Sequence, residues 1–181
     1  MADTERILDA AGELFASRGV AAVDMSDIAR ASGCSRATLY RCFDNRAALR
    51  AAYVHREART VANRLAELTA AIEDPRERLL TGITHALRLV RESPPLSAWF
   101  ADTAMGAQAA ASSDVVLAMT ASFLLGLDGA DREAATRRAR WLVRVLASFL
   151  TVPGRDADDE RSMLEEFVAP LIGGRTTTLA R

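Results

Sequence analysis

The chain has 181 residues, half of them apolar and a quarter charged, with a net charge of −1 and an isoelectric point near 6.2. That much apolar content excludes a disordered chain and is enough for a sizeable core in one domain or two small ones. Two cysteines exclude a disulfide scaffold, and the longest apolar run, 115–127, is too short to span a bilayer. Alanine and leucine dominate, alternating strand patterns are absent, and the single Asp-Gly pair, Asp128-Gly129, lies between helical patterns. An all-α fold of about nine helices is expected. The acidic, polar opening, Met1 to Glu5, is unlike a secretory leader, so a cytoplasmic protein is expected.

Asp3 is placed to cap a first helix. Ile7, Leu8, Ala11, Leu14 and Phe15 form one apolar face, and Gly19 ends it. Residues 24–43 then read as two short helices joined by a tight turn. Asp24 is the N-cap of the first, with Asp27 in its first turn. Gly33 stands where a left-handed backbone is wanted, and Ser35 can cap the second helix. At 100° per residue, Leu39 and Phe43 face inward. Arg36, Ala37, Thr38, Tyr40 and Arg41 make the outward surface. Arginine reads guanine edges, the alanine methyl admits close approach, and the hydroxyls of Thr38 and Tyr40 suit phosphates. Such a second helix enters the major groove of double-stranded DNA.

From Ile28 to Arg64 there are eight arginines against two acids, Asp44 and Glu57, a local charge of +6. Local charge is what a phosphate backbone senses. All the basic residues are arginine; there is no lysine.

Asp27, Ile28 and Ala29, the turn Ala31-Ser32-Gly33, then Ser35, Thr38, Leu39, Tyr40 and Phe43 resemble the TetR family of bacterial transcriptional regulators. The resemblance covers roughly residues 4–55. It implies a DNA-binding domain over 1–61, with the helix–turn–helix at 24–43, and a regulatory, ligand-binding and dimerisation domain over 62–181. It implies contact with operator DNA through Ser35, Arg36, Ala37, Thr38, Tyr40 and Arg41, and a phosphate contact from Arg46. Three positions depart from the family pattern: Asp24 stands for a usual Thr, Cys34 for a small apolar residue, and Cys42 for a usual His or Tyr.

Asp44 or Asn45 starts a fourth helix. It runs without Gly or Pro to about Ala71 and links the DNA-binding part to the larger remainder of the chain. Asp74, Pro75 and Glu77 give a fresh start with a capping box. That helix carries Leu79, Leu80, Ile83, Leu87 and Val90, and stops before Pro94-Pro95. A shorter helix comes next, with Leu96, Trp99 and Phe100. Residues 104–113 are small and give no clear boundaries. Residues 115–127 read as a helix apolar nearly all round, expected to be central. Asp131 or Asp128 precedes a helix ending at Pro153-Gly154, and an acidic start at 156–160 opens a last one ending near Gly173-Gly174.

No nucleophile–base pair, Walker loop or metal-ligand spacing is present, so no catalytic residue, metal or cofactor is expected. Cys34 and Cys42, separated by most of a helix, are too far apart for a disulfide. His85, two residues from both Ile83 and Leu87, fits either a cavity edge or a structural role. The resemblance implies a small, mostly apolar effector held among His85, Trp99, Phe100, Met119, Phe123 and Trp141. It also implies a homodimer through the last two helices, about 131–152 and 157–172. The expected function is a DNA-binding transcriptional repressor released by that effector. The rival is a helical enzyme or scaffold whose helix–turn–helix only packs.

Overall fold

The computed structural model describes residues 2–101, 103–129 and 131–172, with residues 2 and 103–105 as backbone only. Met105 and the expected helix end at Gly173-Gly174 therefore lie outside the described side chains. Among the described residues there are ten α-helices and no strand. They are α1 Ala2–Arg18, α2 Met25–Ala31, α3 Arg36–Cys42, α4 Arg46–Thr69, α5 Pro75–Glu92, α6 Pro94–Ala101, α7 Thr103–Ser112, α8 Asp114–Asp128, α9 Arg132–Thr151 and α10 Ala157–Met163. The helix beyond the expected nine is α7, in the small-residue stretch. No single helix among the described residues is long and apolar enough to cross a membrane. The apolar pair 106–112 and 114–128 turns through 65° between its halves.

Local chemistry accounts for most of the starts. Asp24, Ser35, Asn45, Asp74, Asp131 and Asp156 each accept a hydrogen bond from a backbone N–H in the first turn of the helix they cap. Asp24 and Asp27 complete a reciprocal capping box. Asp74 accepts from the Glu77 N–H, but the Glu77 carboxylate accepts instead from Thr81, so that box is half formed. Asp3 is inside α1 rather than capping it, and pairs with Arg6 at 2.7 Å.

Two cores form. The first joins Ile7, Ala11 and Phe15 of α1, Ile28 of α2, Leu39 of α3, and Leu49 and Tyr53 of α4; Trp99 of α6 completes it. The second joins Leu79 and Ile83 of α5, Leu124 of α8, Leu142 of α9, and Leu164 and Val168 beyond α10. Helix α8 is less central than expected. Ala121, Leu124 and Leu127 are buried, while Ser122 faces solvent and Ala118 is exposed with it. The last helix is not α throughout. After α10 it widens to a π turn at Leu164–Val168 and tightens to a 3-10 turn at Ala169–Leu171. Pro170 supplies the reason: it has no N–H to donate, and its ring crowds the carbonyl four residues earlier.

One ion pair pins the second core. Arg91, near the end of α5, donates to both oxygens of Glu160 at 2.8 and 2.7 Å and to the Phe149 carbonyl. Glu160 also accepts from the Gly154 N–H at 2.9 Å and is 8% exposed. The Arg91 hydrogen bonds hold its carboxyl below the usual carboxylate range against the opposing effect of burial. A carboxyl depressed in the folded state stabilises above its unfolded pKa, and the gain is lost as pH falls through the folded value. Glu160→Gln is therefore expected to cost about 2 kcal/mol at pH 7, a figure reduced because Arg91 is partly exposed. Urea unfolding should show the difference shrinking below about pH 4. A difference that persists undiminished at pH 3 would assign the loss to packing instead.

Candidate nucleic-acid interface and ligand cavity

Helix α3 is held as its sequence requires. The Ser35 hydroxyl accepts from the Thr38 N–H at 3.0 Å, and Gly33 sits at φ +65°, where a side chain is strained. Leu39 and Phe43 are buried. Arg36, Ala37, Tyr40 and Arg41 are exposed, Tyr40 to 49%, and Thr38 is half-buried. Arg6 of α1 donates to the Ser32 carbonyl at 3.0 Å and braces the turn from behind. Asp24, the departure from Thr, is occupied in capping, and Asp27 pairs with Arg18 and Arg30. Cys34 lies against the Ser32 hydroxyl at 3.2 Å, and both cysteines are free thiols.

The basic segment divides by its partners. Arg56 is taken up by Glu5, Asp9 and Glu57, and Arg64 by Glu67. Arg36, Arg41, Arg46 and Arg50 have no acidic partner among the described residues. Arg36 donates to the Ser26 hydroxyl at 2.7 Å, which ties the start of α3 to the first turn of α2. Arg46 donates through one terminal nitrogen to the Val20 and Ala21 carbonyls, at 3.1 and 2.6 Å, and Arg50 donates to Val20 at 2.5 Å. Burial lowers the Arg50 pKa from its usual value, and the neighbouring Arg46 charge adds to that. Arg46 thus holds the α1–α2 loop, a use its sequence position did not reveal. Ser26 was missed altogether, and Arg50 was counted only within the basic segment although it stands one helical turn after Arg46.

In the larger half of the chain, α4, α5, α6, α7, α8 and α9 line a half-open cavity of about 250 Å³. Trp99, Phe100, Met119 and Phe123 line it; His85 and Trp141 do not. His85 lies beside Arg88, its Nδ1 2.9 Å from the guanidinium, and Trp141 is 42% exposed on α9. Helix α4 contributes Val54, Glu57, Ala58, Val61, Ala62 and Leu65. That stripe was not legible in the sequence as the wall of a cavity. Trp99 joins the cavity to the first core: its ring stacks on Tyr53 at 6.2 Å and meets Phe15 edge-on at 5.6 Å. Burial pushes the Tyr53 hydroxyl well above its usual pKa, with the Glu57 charge adding to the shift, so this cluster stays neutral. Among the described residues no group of three or more side chains is arranged to hold a metal ion.

Residues 7–53 match the family model for bacterial regulatory proteins, tetR family. The chain is 51% identical over 170 residues to the HTH-type transcriptional regulator Rv1255c of Mycobacterium tuberculosis, covering 93% of this chain and 84% of that one. Among solved structures it resembles the TetR family repressor AlkX of Dietzia, implicated in biodegradation of n-alkanes. The TM-score is 0.71 at 27% identity, over 92% of this chain and 93% of that one. The regulator FadR of Bacillus subtilis, solved with stearoyl-CoA, shares the fold, with a TM-score of 0.62 at 16% identity over 94% and 98% of the two chains. With α3 capped and facing outward as a DNA-reading helix must, these likenesses agree: the chain is a helix–turn–helix DNA-binding transcriptional regulator and belongs to the TetR family.

Proposed function

We propose that the protein is a homodimeric repressor that binds operator DNA and is released by a small, mostly apolar effector in the 62–181 region. One observation carries the reading: α4 braces the helix–turn–helix with Arg46 and Arg50 at one end and walls the cavity with its other half. A helix is stiff, so a displacement at the cavity moves the recognition helix. Two such helices must dock together at a fixed spacing of about 34–36 Å. Ser35, Arg36, Ala37, Thr38, Tyr40 and Arg41 face the groove in this reading, and Arg46 a phosphate. Trp141 on α9 and Phe167, 61% exposed after α10, are large apolar groups on the two segments assigned to the dimer. AlkX's connection with n-alkanes suits a cavity walled almost wholly by apolar side chains. Acting on chromosomal DNA places the protein in the cytoplasm.

The test is a pair of titrations. Operator sites are first selected from random duplex DNA, and a near-palindrome is expected. The probe 1-octanol is then titrated with and without saturating operator. Linkage requires operator to weaken octanol binding by the factor by which octanol weakens operator binding, about 5–150-fold. Equal octanol affinity in both titrations would remove the cavity as the switch.

A further inference from the structure

On α4, Val54, Glu57, Ala58, Val61, Ala62 and Leu65 follow helical spacing and share the face that lines the cavity. Five are apolar. Glu57 breaks the stripe, and among the described residues it is the one charged member of the lining. An ionised side chain on such a face costs desolvation unless something gains from it. Arg56 gives part of the answer: its Nε donates to Glu57 Oε1 at 3.0 Å, and its Nη2 lies 2.9 Å from the same oxygen. Yet Arg56 also serves Asp9 at 2.7 Å and Glu5 at 3.3 Å. Three carboxylates share one guanidinium; Glu5 and Asp9 stand 63% and 69% exposed, where water screens them, while Glu57 is 19% exposed. Among the described residues no hydrogen bond engages Glu57 Oε2.

We propose that the effector is a cationic amphiphile, an apolar body whose single ammonium-type group pairs with Glu57. This rests on the reading of the cavity as the effector site. Glu57 is weakly screened against the apolar wall and shares its guanidinium with two other carboxylates, so a cation is attracted there and a second carboxylate is repelled. The remaining surface, built from Val61, Leu65, Met119 and Phe123, takes the apolar body. At about 250 Å³ the cavity lies below the ~300–1,000 Å³ of drug-sized sites, which favours one short chain or a small ring system. The pairing also touches the DNA-binding half. A cation on Glu57 competes with Arg56, the residue that ties α4 to Asp9 and Glu5 of α1.

Three probes of equal length separate the possibilities: octylammonium, 1-octanol and octanoate, titrated calorimetrically into the full chain at pH 7 and one ionic strength, below micelle formation. Octylammonium is expected to bind about tenfold tighter than 1-octanol, the fold-change of a charge-assisted hydrogen bond worth about 1.4 kcal/mol, with octanoate weakest. In Glu57→Gln the advantage of the ammonium over the alcohol should fall to within about twofold. An advantage that survives the substitution overturns the proposal. Should that variant fail to fold, the wild-type order decides: octanoate binding as well as octylammonium overturns it. Octanol binding without charge preference would defeat the cationic effector and leave the cavity reading standing. Failure of all three to bind would defeat both.

Discussion

Trp99→Ala is expected to destabilise the protein by about 3–5 kcal/mol, the usual cost of truncating a buried aromatic ring. The residue is 4% exposed. Among the described buried residues it is the only member of the first core contributed from beyond α4. One face lies parallel to Tyr53 and one edge meets Phe15, and such ring pairs add about 0.5–1.5 kcal/mol beyond the area they bury. The site cannot collapse readily. Gly106 already lies so close that a Cβ there would collide with the Trp99 carbonyl, so α6 and α7 meet backbone to backbone. The truncation would also open the cavity toward the helix–turn–helix core. Urea denaturation monitored by circular dichroism measures the loss. A change below about 1 kcal/mol would show that the three rings do not pack as described.

The same residue shows where sequence reasoning stopped. What depends on neighbours in the chain was legible: the Asp24 and Ser35 caps, the left-handed Gly33, and the division of α3 into an inward Leu39–Phe43 side and an outward arginine side. These follow from helix geometry and backbone sterics within four residues. Trp99 was legible as a large apolar residue on a short helix, but not its place against Phe15 and Tyr53, which lie on distant helices α1 and α4. Arg56 looked like part of a basic surface until Glu5 and Asp9, on α1, proved to be its partners. Helix α7 was missed because alanines, glycine and serine give no apolar period to count. The start of the last helix was readable, but its π and 3-10 character was not, since that arises where Pro170 meets the second core.

Operator binding is expected to weaken by about 10³ between 50 and 200 mM salt. Arg36, Arg41 and Arg46 lack acidic partners among the described residues and stand at or beside the reading face, so a dimer brings six such groups to the duplex. At about 0.9 counterions released per phosphate contact, log K should fall against log salt with a slope near −5. The tyrosine and threonine hydroxyls of the same face add contacts without adding to that slope. Arg46→Ala then distinguishes two roles. One terminal nitrogen of Arg46 is committed to Val20 and Ala21, and its Nε is buried without a partner. If the other terminal nitrogen meets a phosphate, the variant loses one contact per protomer, and the slope should flatten by about 2 with specificity unchanged. If Arg46 only holds the α1–α2 loop, the slope should stay the same while stability falls, by about 1–3 kcal/mol for the lost hydrogen bonds. Fluorescence anisotropy on a labelled operator across a series of salt concentrations, paired with a urea curve for each protein, reads both quantities. An unchanged slope in Arg46→Ala would strike that arginine from the DNA contacts and leave Arg36 and Arg41 to account for the binding.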